Sequence, residues 1–111
     1  MTVTVIVALH NRALFVEACL NSLLLQRDAC DLDILVIDDG STDDGPDRVQ
    51  AMSVTNPEIR LIRQENAGVT AVRNRSRQLL LPETEFVTFL DSDDLMCPDR
   101  FSSDLAVFRK R

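Results

Sequence analysis

Ile34-Leu35-Val36-Ile37-Asp38-Asp39-Gly40-Ser41-Thr42-Asp43-Asp44-Gly45-Pro46 holds the end of one structural element and the start of the next. Ile34 to Ile37 is an unbroken apolar run, as expected of a strand covered on both faces. Asp38 to Gly45 is loop chemistry, and it closes on an Asp/Gly capping signal with Pro46 where a first helical turn tolerates it. A short helix from Pro46 to Met52 follows. A strand that passes through a polar loop into a helix is the repeating half of a parallel sheet.

Working outward, the same pattern recurs on both sides. Val3 to Leu9 is a nearly continuous apolar run with β-branched residues at Val3, Thr4, Val5, Ile6 and Val7. From Ala13 to Leu25 the apolar residues fall at helical spacing, at Phe15/Val16, Cys19/Leu20 and Leu23/Leu24. Downstream, Ile59 to Ile62 reads as a strand, Gly68 to Leu81 as a helix and Phe86 to Leu90 as a strand. Pro98 then opens a last helix through Phe101, Leu105 and Phe108. The order β-α-β-α-β-α-β-α predicts an α/β fold, a mostly parallel Rossmann-like sheet with right-handed crossovers and helices on both faces. No linker, repeat or low-complexity segment interrupts it, so residues 1–111 read as a single domain.

Composition narrows the function. The chain has 45% apolar residues, enough for a core, and 18 acidic against 12 basic side chains give a net charge of −6. That sign, with no Trp or Tyr, argues against a nucleic-acid or anionic-membrane partner. No apolar run has the length of a membrane span and the opening residues lack a signal-peptide pattern, so a cytoplasmic location is expected. Cys19, Cys30 and Cys97 include no C-x-x-C and read as buried or incidental thiols. His10 is the sole histidine. Any chemistry therefore falls mainly to carboxylates.

Ligands of such a sheet bind beyond the carboxyl ends of its strands, which selects Ala8 to Asn11, Asp38 to Ser41, Gln64 to Gly68 and Asp91 to Asp94. The densest of these is Asp91-Ser92-Asp93-Asp94. Its crowded carboxylates repel one another unless a cation neutralises them, and a hard divalent ion, Mg²⁺ or Mn²⁺, suits one or two carboxylates completed by phosphate oxygens and water. In an extended segment Asp91 and Asp93 face the same way and can converge on one nucleotide. An acidic turn that caps the next helix would look similar. At Asp38-Asp39-Gly40-Ser41 a strand-end carboxylate can accept from a nucleobase N–H or a ribose hydroxyl, with Gly40 allowing close approach; a plain turn before a capped helix is the alternative. Asn66-Ala67-Gly68 before a helix carrying Arg73 offers backbone N–H groups to an anion. Arg75 and Arg77 read as a solvated basic face.

With these residues in hand, the chain resembles the nucleotide-sugar-binding half of the inverting family 2 glycosyltransferases of the GT-A fold. The likeness runs from about Val3 to Arg100. It is carried, in order, by His10-Asn11-Arg12, by Ile37 to Asp43, by Asn66-Ala67-Gly68 with Arg73-Asn74, and by Leu90 to Asp94 followed by Pro98-Asp99-Arg100. The resemblance implies that Ala8 and adjacent backbone touch the base and that Asp39 recognises base or ribose. Asp91 would lie on the ribose side, and Asp93 would ligate the metal bridging the diphosphate. Asn11, Asp38, Asn66, Gly68, Arg73 and Ser92 complete the implied donor site. A UDP-linked sugar is the implied donor, with a carbohydrate or lipid-linked acceptor.

The chain departs from the family pattern at Ala8, where Pro is usual, and at Val72, where a smaller residue is usual. The carboxylate general base of inverting members lies well downstream of Asp94, so no catalytic residue is expected within residues 1–111, and donor binding without efficient transfer is the expectation for this chain alone. An apolar patch should mark where the acceptor half docks, and such a patch promotes self-association. Other classes remain open. The D-x-D after an apolar strand also occurs in haloacid-dehalogenase-like phosphatases, although those follow it with Thr or Val where Leu95 stands. Receiver domains need acidic residues after the first strand, where this chain has Ala8-Leu9-His10. A non-catalytic nucleotide-binding module needs only the pocket.

Overall fold

A computed structural model describes residues 2–93, so Asp94, Cys97 and the helix expected after Pro98 lie outside the described residues. The elements run β1 (Thr2–Leu9), α1 (Ala13–Leu24), β2 (Asp31–Asp39), α2 (Gly45–Thr55), β3 (Ile59–Gln64), α3 (Val69–Gln78) and β4 (Thr84–Asp91). The four strands form one sheet in the order β3-β2-β1-β4, and every pairing is parallel. The expected α/β alternation is therefore present through β4.

Strand order dictates where the helices go. From β1 to β2 to β3 the chain steps in one direction, and from β3 to β4 it reverses to the far side of β1. Right-handed crossovers then place α1 and α2 on one face and α3 on the other. The cores follow this division. Val3, Val5, Val7, Leu9, Ile34, Val36 and Ile59 pack with Val16, Cys19, Leu20 and Leu23 of α1 and Val49 of α2. Ile6, Leu35 and Ile37 pack with Val72 of α3, a much thinner layer.

The two faces meet different needs. On the α3 side β4 is uncovered among the described residues: Val87 and Phe89 are 40% and 48% exposed. Helix α3 stops at Gln78, short of the expected Leu81: Pro82 has no N–H to offer the Gln78 carbonyl, and the Leu79 carbonyl accepts from Arg60 Nη2 at 3.0 Å. Among the described residues no helix is long and apolar enough to cross a membrane.

Register brings the strand ends level. Ala8 lies opposite Ile37 on one side and Asp91 on the other, and Asp39 lies opposite Gln64. The reversal of strand order at β1 leaves a crevice above the carboxyl ends of β1 and β4, where such sheets bind ligands.

Candidate functional site

A cavity of about 230 Å³ opens at that crevice, lined by Ala8, Leu9, His10, Arg12, Asp39, Val69, Val72, Asp91, Ser92 and Asp93. Its walls come from four separated segments, and the loops after β1 and β2 must be fastened before they can form a wall. Asn11 does the fastening. It holds a positive φ of 51°, which Asn tolerates better than most residues. Its Oδ1 accepts from the Thr42 amide at 2.8 Å and the Thr42 hydroxyl at 3.2 Å, and its own amide donates to Ser41 Oγ at 3.0 Å.

Asp43 completes the joint. Its carboxylate accepts from the Ala13 amide and from the Gly45 amide, each at 3.0 Å, so one side chain caps the starts of α1 and α2 together. The Gly45 hydrogen bond is the chief reason its carboxyl sits below the ordinary value; burial opposes this, while Ala13 and Arg48 reinforce it.

Asp39 is the organising group of the pocket. It is buried, and burial works to raise its carboxyl. Hydrogen bonds win, however, and hold it below the ordinary value: Gln64 Nε2 and the Ala67 amide reach Oδ1 at 3.0 and 2.9 Å, and the Gly68 amide reaches Oδ2 at 3.0 Å, with His10 nearby. The sequence offered these helix-start amides to a bound anion. The structure gives them to Asp39, whose charge is the anion that the start of α3 holds. Gln64 Oε1 in turn accepts from Nη1 of the exposed Arg75 at 3.3 Å.

Gly40 is required by the same closeness. It has φ +73°, and a Cβ there would lie 2.7 Å from the Asn66 backbone nitrogen. The loops after β2 and β3 thus touch through backbone.

Neighbouring aspartates on a strand face opposite ways, and the consequence separates Asp38 from Asp39. Asp38 shares the face of Ile34 and Val36, away from the cavity lining. Its Oδ2 lies 3.7 Å from Arg63 Nε, and its buried Oδ1 has no partner among the described residues. Asp38, expected at the donor site, therefore does not line this cavity. Among the other expected residues, Ala8, Asp39, Asp91, Ser92 and Asp93 line the cavity. Asn11, Asn66 and Gly68 build its wall through hydrogen bonds. Arg73 stands over the Phe89 ring at 5.3 Å, beside a smaller cleft that also touches Ala8 and Asp91.

Asp91 and Asp93 are exposed at the rim while Ser92 between them is 3% exposed, as the alternation of a D-x-D requires. Arg12 Nε approaches Asp93 Oδ2 at 3.8 Å. Among the described residues no three Asp, Glu, His or Cys side chains gather as a metal cage. Two rim carboxylates with open positions instead fit Mg²⁺ or Mn²⁺ whose remaining ligands are phosphate and water. His10, Arg12 and Gln64 were not singled out as site residues from sequence. Their strand-end positions were the available signal.

The glycosyl transferase family 2 model matches residues 4–110. The chain belongs to this family. It is 35% identical over 97 residues to EpsH of Bacillus subtilis, a match covering 87% of this chain and 27% of that protein. Among solved structures it is similar to the mannosyltransferase PcManGT of Pyrobaculum calidifontis in complex with GDP-Man and Mn²⁺, at TM-score 0.82 and 29% identity over 93% of this chain and 31% of that one. TarS of S. aureus (residues 1–349) in complex with UDP-GlcNAc gives a TM-score of 0.77 at 26% identity, over 99% of this chain and 32% of that one. The family 2 chain thus spans about a third or less of these relatives. The fold they share with it is that of GT-A glycosyltransferases.

Proposed function

We propose that residues 1–111 form the nucleotide-diphospho-sugar-binding domain of a metal-assisted, inverting glycosyltransferase, and that its donor is UDP-linked. The observation that carries this is the convergence of Asp39, Asp91, Ser92 and Asp93 on one cavity at the reversal point of the sheet. Asp39 receives the nucleoside end, Asp91 the ribose side, and Asp93 with Asp91 would hold Mg²⁺ or Mn²⁺. When bound, such an ion supplies charge stabilisation to the departing nucleoside diphosphate. PcManGT with GDP-Man and Mn²⁺, and TarS with UDP-GlcNAc, support the donor class. Ala8 and Val72 line the pocket as apolar walls, and Arg73 sits close enough to the rim to serve the donor.

The preference for uracil rests on counting acceptor positions. A carboxylate oxygen accepts about two hydrogen bonds. Asp39 Oδ1 already receives two and Oδ2 one. One position is left, which suits the single imide N–H of uracil better than the paired N–H groups of guanine. Transfer to the acceptor hydroxyl needs a general base, and that base is assigned to sequence beyond Asp94, so this chain binds donor without efficient turnover. The acceptor is a carbohydrate or lipid-linked hydroxyl.

Calorimetric titration with UDP, with and without Mn²⁺, tests the reading. Metal-dependent heat that disappears in Asp93→Ala, with GDP about tenfold weaker than UDP, is expected. Binding indifferent to metal would leave a nucleotide module without transfer chemistry. Trapping of a covalent phosphate on Asp91 would favour the phosphatase class instead.

A further inference from the structure

Helix α1 turns one face to the sheet and the opposite face to solvent, and the solvent face is apolar at both ends. Leu14 is 83% and Leu25 62% exposed, with the exposed Ala18 and Asn21 between them. The inner face is already used, since Val16, Cys19, Leu20 and Leu23 are buried in the core. Positions 14, 18, 21 and 25 step by four, three and four, which keeps them on one ridge of a helix. Leu25 is the C-cap but retains helical dihedrals, φ −65° and ψ −16°, so it stays in line with the others. No charged side chain stands on this ridge. From Ala13 to Gln26 the only one is Glu17, off to the side, where Arg48 of α2 pairs with it at 3.5 Å.

Two properties say what covers this ridge. The first is charge: a chain of net charge −6 repels its own copies, and an uncharged ridge is where two of them approach without opposed carboxylates. The second is symmetry. Leu14 and Leu25 lie equally far from the point between Cys19 and Leu20, and so do Ala18 and Asn21. Antiparallel pairing about that point sets Leu14 of each copy against Leu25 of the other, and Ala18 against Asn21, which is the self-complementarity that a two-fold contact requires. The ends match as well. Beyond Leu25 the turn continues, with the Ala29 amide donating to the Gln26 carbonyl at 3.0 Å, and it carries the exposed Asp28. In the pair Asp28 comes level with the start of α1 in the other copy, whose first turn holds no acidic residue and follows Arg12.

We propose that the outer ridge of α1 is the contact between two copies of this chain, paired antiparallel about a two-fold axis through the middle of the helix. The small Ala18 lets the helices approach closely. The two Asn21 carboxamides are offset by three residues, about 4.5 Å along the helix, so they reach each other across the axis and favour this register. The ridge is about 17 Å long, and two such ridges in contact bury less than the roughly 800 Å² per partner of a standard interface. The dimer is accordingly weak, with a dissociation constant of about 100 μM. This surface is distinct from the uncovered face of β4, and the inference stands apart from the nucleotide reading. The cavity lies where α1 begins, so antiparallel pairing sends the two cavities to opposite ends of the dimer.

Sedimentation equilibrium of the full chain from about 10 μM to about 1 mM tests this. The weight-average mass should climb from 12.5 kDa toward twice that value. Leu14→Glu combined with Leu25→Glu changes two exposed positions, so its circular dichroism should match the wild type, and its dissociation constant should rise at least about tenfold. Leu14→Glu combined with Leu25→Lys introduces as many charges. The antiparallel register then sets Glu against Lys at both ends, so association should return to within about threefold of the wild type. A parallel pairing would oppose like charges in that variant and keep it monomeric. Ala18→Glu, which crowds two carboxylates at the axis, gives the same loss from a single substitution should either double variant fold poorly. A wild type that stays monomeric throughout overturns the proposal. So does association indifferent to the paired Glu substitutions or to Ala18→Glu, or a Glu/Lys variant that associates no better than the Glu/Glu one.

Discussion

Asp33 and Asp39 lie on the same strand and the same face, at opposite ends of α3, and they are satisfied in opposite ways. Near the C-terminus of α3, Asp33 accepts from Arg60 Nε and Nη2, each at 2.8 Å, and from Thr4 Oγ1 at 2.8 Å. The same guanidinium reaches the Leu79 carbonyl, and Thr4 Oγ1 pairs with Thr84 Oγ1 at 2.8 Å, so one polar chain crosses all four strands. Near the N-terminus of α3, Asp39 is held by the Gln64 side chain and the Ala67 and Gly68 amides, with His10 nearby. The helix ends explain the difference: carbonyls at the C-terminus favour an added cation, whereas amides at the N-terminus hold a carboxylate unaided. Asp33 is thereby closed, and Asp39 keeps its charge and one acceptor position for something else.

The largest effect should come from breaking the closed end. Arg60→Ala leaves Asp33 as a buried charge without its cation, which costs about 3 to 5 kcal/mol. Urea unfolding would show this as a lowered midpoint, while UDP affinity of the folded fraction stays within about twofold of wild type. A matching loss of affinity would mean that the two ends of α3 are not independent. Asp39→Asn should invert the pattern. It forces an amide donor against the Gln64, Ala67 and Gly68 donors, costing about 1 to 3 kcal/mol of stability, and it removes the charged acceptor, weakening UDP about 10- to 100-fold. Stability would be measured by the same unfolding curve and affinity by calorimetry.

This contrast also marks what the sequence could and could not reveal. The apolar runs at Val3 to Leu9, Ile34 to Ile37, Ile59 to Ile62 and Phe86 to Leu90 disclosed the strands because buried parallel strands need such runs. The strand-end rule then pointed to Asp39 and to Asp91 to Asp93. It could not separate Asp38 from Asp39, since a strand apolar on both faces has no polar side to show which aspartate looks into the crevice. Asp33 stands just outside the apolar run Ile34 to Ile37, and its role is not legible there because its partner Arg60 belongs to a different strand and the pairing is set by register. The surroundings of His10 are hidden for a related reason. Its ring meets a carbonyl and two carboxamides from three loops, and no local spacing announces such a meeting.

Gly40→Ala perturbs the open end less than Asp39→Asn but more selectively. The new methyl would stand 2.7 Å from the Asn66 nitrogen at a φ of +73°. Gly68→Ala has a comparable left-handed φ of +93° but nothing within 4 Å of its Cβ. Backbone strain of about 1 kcal/mol is common to both, and Gly40→Ala adds the displacement of the Asn66 segment. Unfolding midpoints should therefore fall in both variants, with UDP affinity lost several-fold more in Gly40→Ala. Equal affinity losses would show that the loop contact does not shape the pocket.

The mildest test is acid. Asp39 and Asp43 both sit below the ordinary carboxyl value because backbone and side-chain donors hold their charged forms. In the unfolded chain each returns to about 3.9. Between the folded and unfolded values the unfolded state binds more protons, so stability rises with pH there. The contribution is fully present above about pH 4 to 5 and disappears as pH falls through the lower folded values. Unfolding midpoints measured from pH 7 downward should stay level and then drop below about pH 4. In Asp43→Asn the drop should be shallower, because one of the two charge-holding caps no longer titrates. Asp43 joins α1 to α2 without lining the cavity. An unchanged acid slope in that variant would mean that the cap contributes through geometry alone, and that the charge held by neutral donors matters only where Asp39 faces the pocket.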